Sequence, residues 1–245
     1  MKVTPFGPIR QVTFLPSVFP VNCYLVEEEN ELTLIDAALP YSWKGILKAA
    51  ESMGRRITRI ILTHAHDDHV GALDRLKEEL GDVKIYISRR DSRLMDGDRS
   101  LEPGEASAQI RGGVPKKMKA RADILVQEGD MIGSLQVISA PGHTPGSIAL
   151  LHRETRALIA GDAFHSVGRV TVSGGKNLRF PFPAIGTWHK ETALDSARKL
   201  KELAPAVLAC GHGKIMHDPD AAMAQAISNL QQECRGAEDA KKTGR

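Results

Sequence analysis

Along the chain, short apolar runs alternate with longer segments in which apolar residues recur every three or four positions. The short runs predict strands at 21–27 (VNCYLVE), 32–37 (LTLIDA), 59–64 (RIILTH), 83–88 (VKIYIS), 135–140 (LQVISA), 147–152 (SIALLH), 157–162 (ALIAGD) and 206–212 (AVLACGH). The longer segments, with charges between their apolar positions, predict helices at 43–54, 71–81, 192–204 and 221–236. Strands interleaved with helices in this way predict an α/β protein. No fixed-period repeat, low-complexity block or Pro- or Ser-rich linker divides the chain. Residues 1–236 are therefore expected to form one domain, and the polar segment 237–245 (AEDAKKTGR) a frayed tail. Two regions follow neither pattern: 91–122, which ends in RGGVPKKMKAR, and 163–190, which is rich in Gly, Pro and aromatics. Long connections of this kind serve as binding loops or lids.

Composition changes this picture little. Of 245 residues, 42% are apolar and 26% charged, as in ordinary globular proteins. A net charge of +3 is too small to point to nucleic acid or a membrane as partner. Cys23, Cys210 and Cys234 are widely spaced and odd in number, which offers no disulfide framework. The first twenty residues, MKVTPFGPIRQVTFLPSVFP, are broken by proline and make a poor signal peptide. No apolar run approaches the length of a membrane span, so the expectation is a cytoplasmic protein.

Chemistry is concentrated at residues 63–69, THAHDDH, where three of the nine histidines and two aspartates share seven positions. A core would not tolerate this crowding without strong partners. Imidazole and carboxylate are the usual ligands of zinc and related divalent ions. In a tight loop, His64 and His66 can face one ion while Asp68 and His69 face a second. Three later apolar runs also end on a metal-competent residue just after glycine: His143, Asp162 and His212. Ligands gather at the carboxyl ends of strands in α/β sheets, so the seven residues make a set for two ions, with Asp162 shared.

These motifs resemble the metallo-β-lactamase-fold superfamily. Its H-x-H-x-D-H hallmark stands here as His64-Ala65-His66-Asp67-Asp68-His69, with PGHTPGS around His143, AGDAF around Asp162 and CGHG around His212. NCYLV…LTLIDAA resembles the family's first strand pair and leads to Asp36, expected in a supporting or structural role. The resemblance spans about residues 20–215. It implies a four-layer αββα sandwich with a two-metal site at one edge. His64, His66 and His143 would hold the first metal, and Asp68, His69 and His212 the second, with Asp162 bridging. Zinc heads the metals suited to this set, with manganese, iron and cobalt also compatible.

The implied activity is that of a hydrolase in which a hydroxide bridged by two metal ions attacks an activated ester, lactone or thioester. Asp68 is expected to accept or relay the proton. Antibiotic-hydrolysing lactamases of this fold lack the bridging aspartate, glyoxalase II enzymes carry a C-terminal helical domain longer than the 33 residues after His212, and nucleases carry an inserted domain. A phosphodiesterase or nuclease reading therefore stands third, although Arg111, Lys116, Lys117, Lys119 and Arg121 form a basic cluster, read here as a solvated lid. Lactonases resemble the chain in length and metal set, with His165 replacing their acid tyrosine. His165 is then either a catalytic acid or a solvent-facing loop residue. The second reading is a mononuclear-iron persulfide dioxygenase, whose G-x-G-R-T-D-F pattern is only partly present in SVGRVTV. Phe164, Phe180, Phe182 and Trp188 either line a pocket for a small-molecule substrate with an apolar group or anchor their loop. A homodimer would cover apolar loop surface.

Overall fold

The computed structural model describes residues 1–242. Seven strands form the first sheet, in chain order: β1 (Lys2–Phe6), β2 (Ile9–Phe14), β3 (Val21–Glu27), β4 (Leu32–Ile35), β5 (Ile57–Ile61), β6 (Lys84–Ser88) and β7 (Ile124–Val126). The first four are antiparallel neighbours, and the β4–β5, β5–β6 and β6–β7 pairs are parallel. The second sheet contains β8 (Met131–Ile132), β9 (Leu135–Ser139), β10 (Ile148–His152), β11 (Ala157–Ile159), β14 (Val207–Ala209) and β15 (Met216–His217). A two-stranded piece, β12 (Phe164–His165) and β13 (Thr171–Val172), lies apart. The helices are α1 (Trp43–Ser52), α2 (Asp67–Val70), α3 (Leu73–Leu80), α4 (Arg89–Met95), α5 (Phe182–Gly186), α6 (Lys190–Glu202) and α7 (Asp220–Lys242).

Side chains alternate across a strand, so each apolar run feeds two cores. Leu34 and Ile60 pack outward with Ile46 of α1 and Leu73 of α3, whereas their neighbours Ile35 and Ile61 face the other sheet. Leu150 and Ile159 meet them there, while Leu151 and Leu158 turn outward onto Ala197 of α6 and Ile227 of α7. Strands buried on both faces read as unbroken apolar runs, which is why β3, β4, β10 and β11 are legible in the sequence. The result is the expected α/β four-layer αββα sandwich: helices, sheet, sheet, helices.

Several details differ from the sequence expectation. Residues 2–14 form an antiparallel hairpin, although Pro5 and Pro8 mask its pattern; Pro5 sits on the edge strand β1, where a missing N–H is tolerated. The strand runs at 157–162 and 206–212 are cut to three residues each, because the chain leaves the sheet where the glycines begin. Helix α7 continues to Lys242 through most of the segment expected to fray, since Ala, Glu and Lys there are good helix formers; residues 243–245 of that expectation lie outside the described residues. Among the described residues no helix is long and apolar enough to cross a membrane.

Candidate metal centre

Strands β9, β11 and β14 run the same way, because β10 is antiparallel to both β9 and β11 and β14 is parallel to β11. Their C-terminal ends therefore share one edge, where His143, Asp162 and His212 follow in the succeeding loops. Strand β5 delivers Thr63 to His66 to the same place, and the single turn α2 carries Asp68 and His69. Ligand atoms of His64, His66 and His143 lie within 4.8 Å of one another, as do those of Asp68, His69 and His212, and those of His64, His69 and Asp162. The Asp162 carboxylate reaches both histidine groups: 3.5 Å to His143 Nε2, 3.3 Å to His69 Nε2 and 3.2 Å to His212 Nε2. All seven positions expected from the sequence are thus brought together. Gly211 permits the close approach, since a Cβ there would stand 2.2 Å from Asp162 Oδ1.

The outward nitrogen of each imidazole is already engaged. His69 Nδ1 bonds Asp36 Oδ2 (2.8 Å), which also accepts from Thr63 Oγ1; His212 Nδ1 donates to Pro20 O (2.7 Å). His143 Nδ1 meets Ser173 Oγ (2.8 Å), His66 Nε2 meets the Arg111 carbonyl (3.0 Å), and His64 Nδ1 meets Thr63 Oγ1 (3.1 Å). Each ring thereby turns its other nitrogen inward: Nε2 of His64, His69, His143 and His212, and Nδ1 of His66. Nε2 of His64 and of His69, together with Asp162 Oδ1, are buried and have no hydrogen-bond partner among the described residues. Buried polar atoms are rarely left so, and oriented imidazoles with a partner on the far nitrogen are how proteins present metal ligands. The donor set therefore fits divalent metal ions.

Electrostatics divides the cluster in two. Burial, reinforced by the neighbouring imidazoles, holds His64 and His143 far below the ordinary histidine range, and burial also lowers His66. At His212 burial opposes the charged form, but Asp162 and Asp68 outweigh it and push the pKa up to about 10. His69 is raised in the same way: burial is overcome by Asp162 and Asp36. For Asp68, burial is outweighed by His212 and His69, so its carboxyl falls below its usual range.

A family profile described as the metallo-beta-lactamase superfamily matches residues 16–212. The chain belongs to that superfamily. It is 51% identical over 227 residues, 93% of this chain and 97% of the relative, to Uncharacterized protein YobT of Bacillus subtilis. It is 32% identical to Probable metallo-hydrolase YflN of the same organism, covering 78% of this chain and 80% of that one. Hydroxyacylglutathione hydrolase of Rhodospirillum rubrum is 32% identical over 83% of this chain, but only 65% of its own length is matched. Among solved structures, TTHA1623 in a di-iron-bound form superposes with a TM-score of 0.63 at 28% identity, covering 86% of this chain and 96% of that one. The DIM-1 metallo-beta-lactamase gives 0.70 at 15% identity over 95% and 97%, a likeness of fold alone.

Within this superfamily member the histidine–aspartate cluster opens onto a cleft of about 140 Å³ whose lining includes Phe19, Phe182, Gly112, Gly113 and Gly186. Of the four loop aromatics considered as pocket lining, only Phe182 lines this cleft. Phe164 and Trp188 are buried in the outer cores, with Trp188 Nε1 donating to Ala108 O, because a large ring gains more from full burial than from a wet cleft. Phe180 is buried and packs on His212 and Phe182, at 5.1 and 5.5 Å between centroids. Phe19, unremarked in the sequence, completes the apolar wall. His165 lies on β12, fully buried rather than solvent-facing, 5.8 Å between ring centroids from His212. It does not line the cleft, and burial, only partly offset by Asp162, pulls its pKa down to about 4. A neutral ring keeps one N–H but is a far weaker proton donor than imidazolium.

The sequence also gave no sign of Asp91. Buried at the start of α4, it accepts from Ala65 N–H, Thr144 Oγ and Gly146 N–H, joining the His64–His66 loop to the His143 loop. An aspartate in the first turn of a helix ordinarily reads as a helix-end charge, and nothing local distinguishes this one.

Proposed function

We propose that this chain is a binuclear metallo-hydrolase that cleaves an activated ester, lactone or thioester. His64, His66 and His143 would hold one divalent ion, Asp68, His69 and His212 the other, and Asp162 both. The observation that carries this reading is the Asp162 carboxylate, within 3.5 Å of inward nitrogens belonging to both histidine groups. When bound, two such ions supply Lewis acidity and ionise water at neutral pH.

The chain supplies the rest. Asp68 is the most exposed of the seven residues and reaches the cleft, where its carboxylate can hold a water in line and take its proton during turnover. Phe19 and Phe182 offer an apolar acyl or aryl group an apolar surface, and Gly112, Gly113 and Gly186 leave room for a planar ester or thioester. A neighbouring cleft of about 560 Å³ shares Phe19 and Asp68 and runs past Asp67 and Asp74 to Lys116 and Lys117, giving the leaving group a polar path outward of mixed charge. No side-chain nucleophile is needed: Cys210 is buried, and its thiol is raised further out of reach by that burial and by Asp162.

The test is Asp162→Ala. We expect it to lower the content of both metals and to abolish hydrolysis of p-nitrophenyl esters and thioesters. Unchanged metal content on elemental analysis would remove the shared-ligand role. One iron per chain, with oxygen uptake on a persulfide and no ester turnover, would replace hydrolysis by the dioxygenase reading.

A further inference from the structure

A third cleft, of about 590 Å³, lies between the β1–β2 ribbon and the segment that follows His212. Strand alternation and register build one wall. Lys2, Thr4 and Phe6 share a face of β1, and the partners Thr13 and Gln11 stand opposite Lys2 and Thr4 on β2. The facing wall is Lys214 to His217 with residues 166–168. Both ribbons are sheet edges, so the cleft opens where the two sheets part.

Its chemistry is one-sided. Lys2, Lys214 and His217 line it, none of them in an ion pair among the described residues, and no carboxylate side chain is part of the lining. Phe6, Ile215, Met216, Val167 and Pro16 make the remainder apolar. On the floor, the buried Gln11 spends its amide nitrogen on Gly213 O (3.0 Å) and Tyr24 Oη (3.3 Å), while its carbonyl oxygen accepts no hydrogen bond from the described residues.

We propose that this cleft binds an amphipathic organic acid, a carboxylate with an apolar body and an amide or hydroxyl donor. The lysines would pair with the carboxylate, the apolar walls would cover the chain, and Gln11 Oε1 would take the donor. This assignment is independent of the reaction proposed for the metal centre. The two sites nevertheless share a wall: Pro20 and Ser166 line the cleft, Pro20 O accepts from His212 Nδ1, and Ser166 N donates to His212 O.

The experiment is a calorimetric titration of the metal-loaded protein with N-octanoylglycine, followed by amide chemical-shift mapping. We expect one molecule per chain, shifts at Thr4, Gly168 and Ile215, and about fivefold weaker binding in Lys214→Glu at an unchanged melting temperature. Thr4→Trp, which fills the cleft, should abolish binding. Octylamine, with the same chain and the opposite charge, should not bind. Absence of binding, shifts confined to Gly112 and Gly113 at the metal centre, equal affinity for octylamine, or unchanged affinity in both variants would overturn the proposal.

Discussion

At the scale of single residues, the centre depends on atoms that leave no spare room. A methyl group on residue 211 would stand 2.2 Å from Asp162 Oδ1 and 2.5 Å from His69 Cε1, so Gly211→Ala must displace one or both. We expect it to lower metal content and cut turnover by about 100-fold, the scale of loss that follows an ångström of misplacement; elemental analysis and steady-state kinetics check this. Protonation separates the two triads. Without metal, Asp162 favours the protonated forms of His69 and His212, whereas burial favours the neutral forms of His64, His66 and His143. Metal must displace those protons at the second triad only, so its affinity there should fall about tenfold or more per pH unit on acidification from 8 to 6, with little change at the first. Chelator competition at both pH values measures this, and simultaneous loss of both metals would contradict it.

At the scale of elements, loops rather than strands hold the geometry, and side chains from elsewhere hold the loops. Asp91 ties the loop after β5 to the loop after β9. Asp91→Ala would leave the buried N–H groups of Ala65 and Gly146 unpaired and Thr144 Oγ1 with Ser147 alone, a loss of about 3 kcal/mol. Chemical denaturation should show that loss, and the first triad should bind metal more weakly than in the parent protein. The basic segment expected to be a solvated lid divides its roles: Lys116 and Lys117 are exposed along the neighbouring cleft, while the backbone reaches the centre through Arg111 O and Gly113 O, which bond His66 Nε2 and Asp67 N–H. The segment thus orients His66 as well as bordering the neighbouring cleft. The aromatic segment 163–190 likewise splits between core and wall, with Phe164 and Trp188 committed to packing and Phe182 left at the cleft.

At the scale of the whole molecule, the cluster sits where the edges of the two sheets meet, so its occupancy reports on the sandwich. Metal that binds only the folded state adds about 2.7 kcal/mol at a free concentration 100 times its dissociation constant. For a chain of this size that is on the order of 5–10 °C in melting temperature. Calorimetry with and without chelator should show a fall of that order; an unchanged transition would mean that the seven side chains are not a metal centre.

The sequence by itself determined which donors exist and where along the chain they fall: an apolar run, a turn, then histidine or aspartate, at His64, His143, Asp162 and His212. It also determined the layered fold, because strands buried on both faces leave unbroken apolar runs and helices leave three-to-four spacing. Short or edge elements such as β1, β12 and α5 escaped, since two to five residues carry too little periodicity to register and β1 is interrupted by Pro5. Only the tertiary structure decided which nitrogen each imidazole turns inward. The partners that settle it are remote: Asp36 for His69 across 33 positions, Arg111 O for His66 across 45, and Pro20 O for His212 across 192. It alone decided that His165 is buried and neutral, and that Asp162 stands between the two histidine groups. Local pattern reports which face a residue takes, whereas hydrogen bonds and charge act between segments that meet only when the chain has folded.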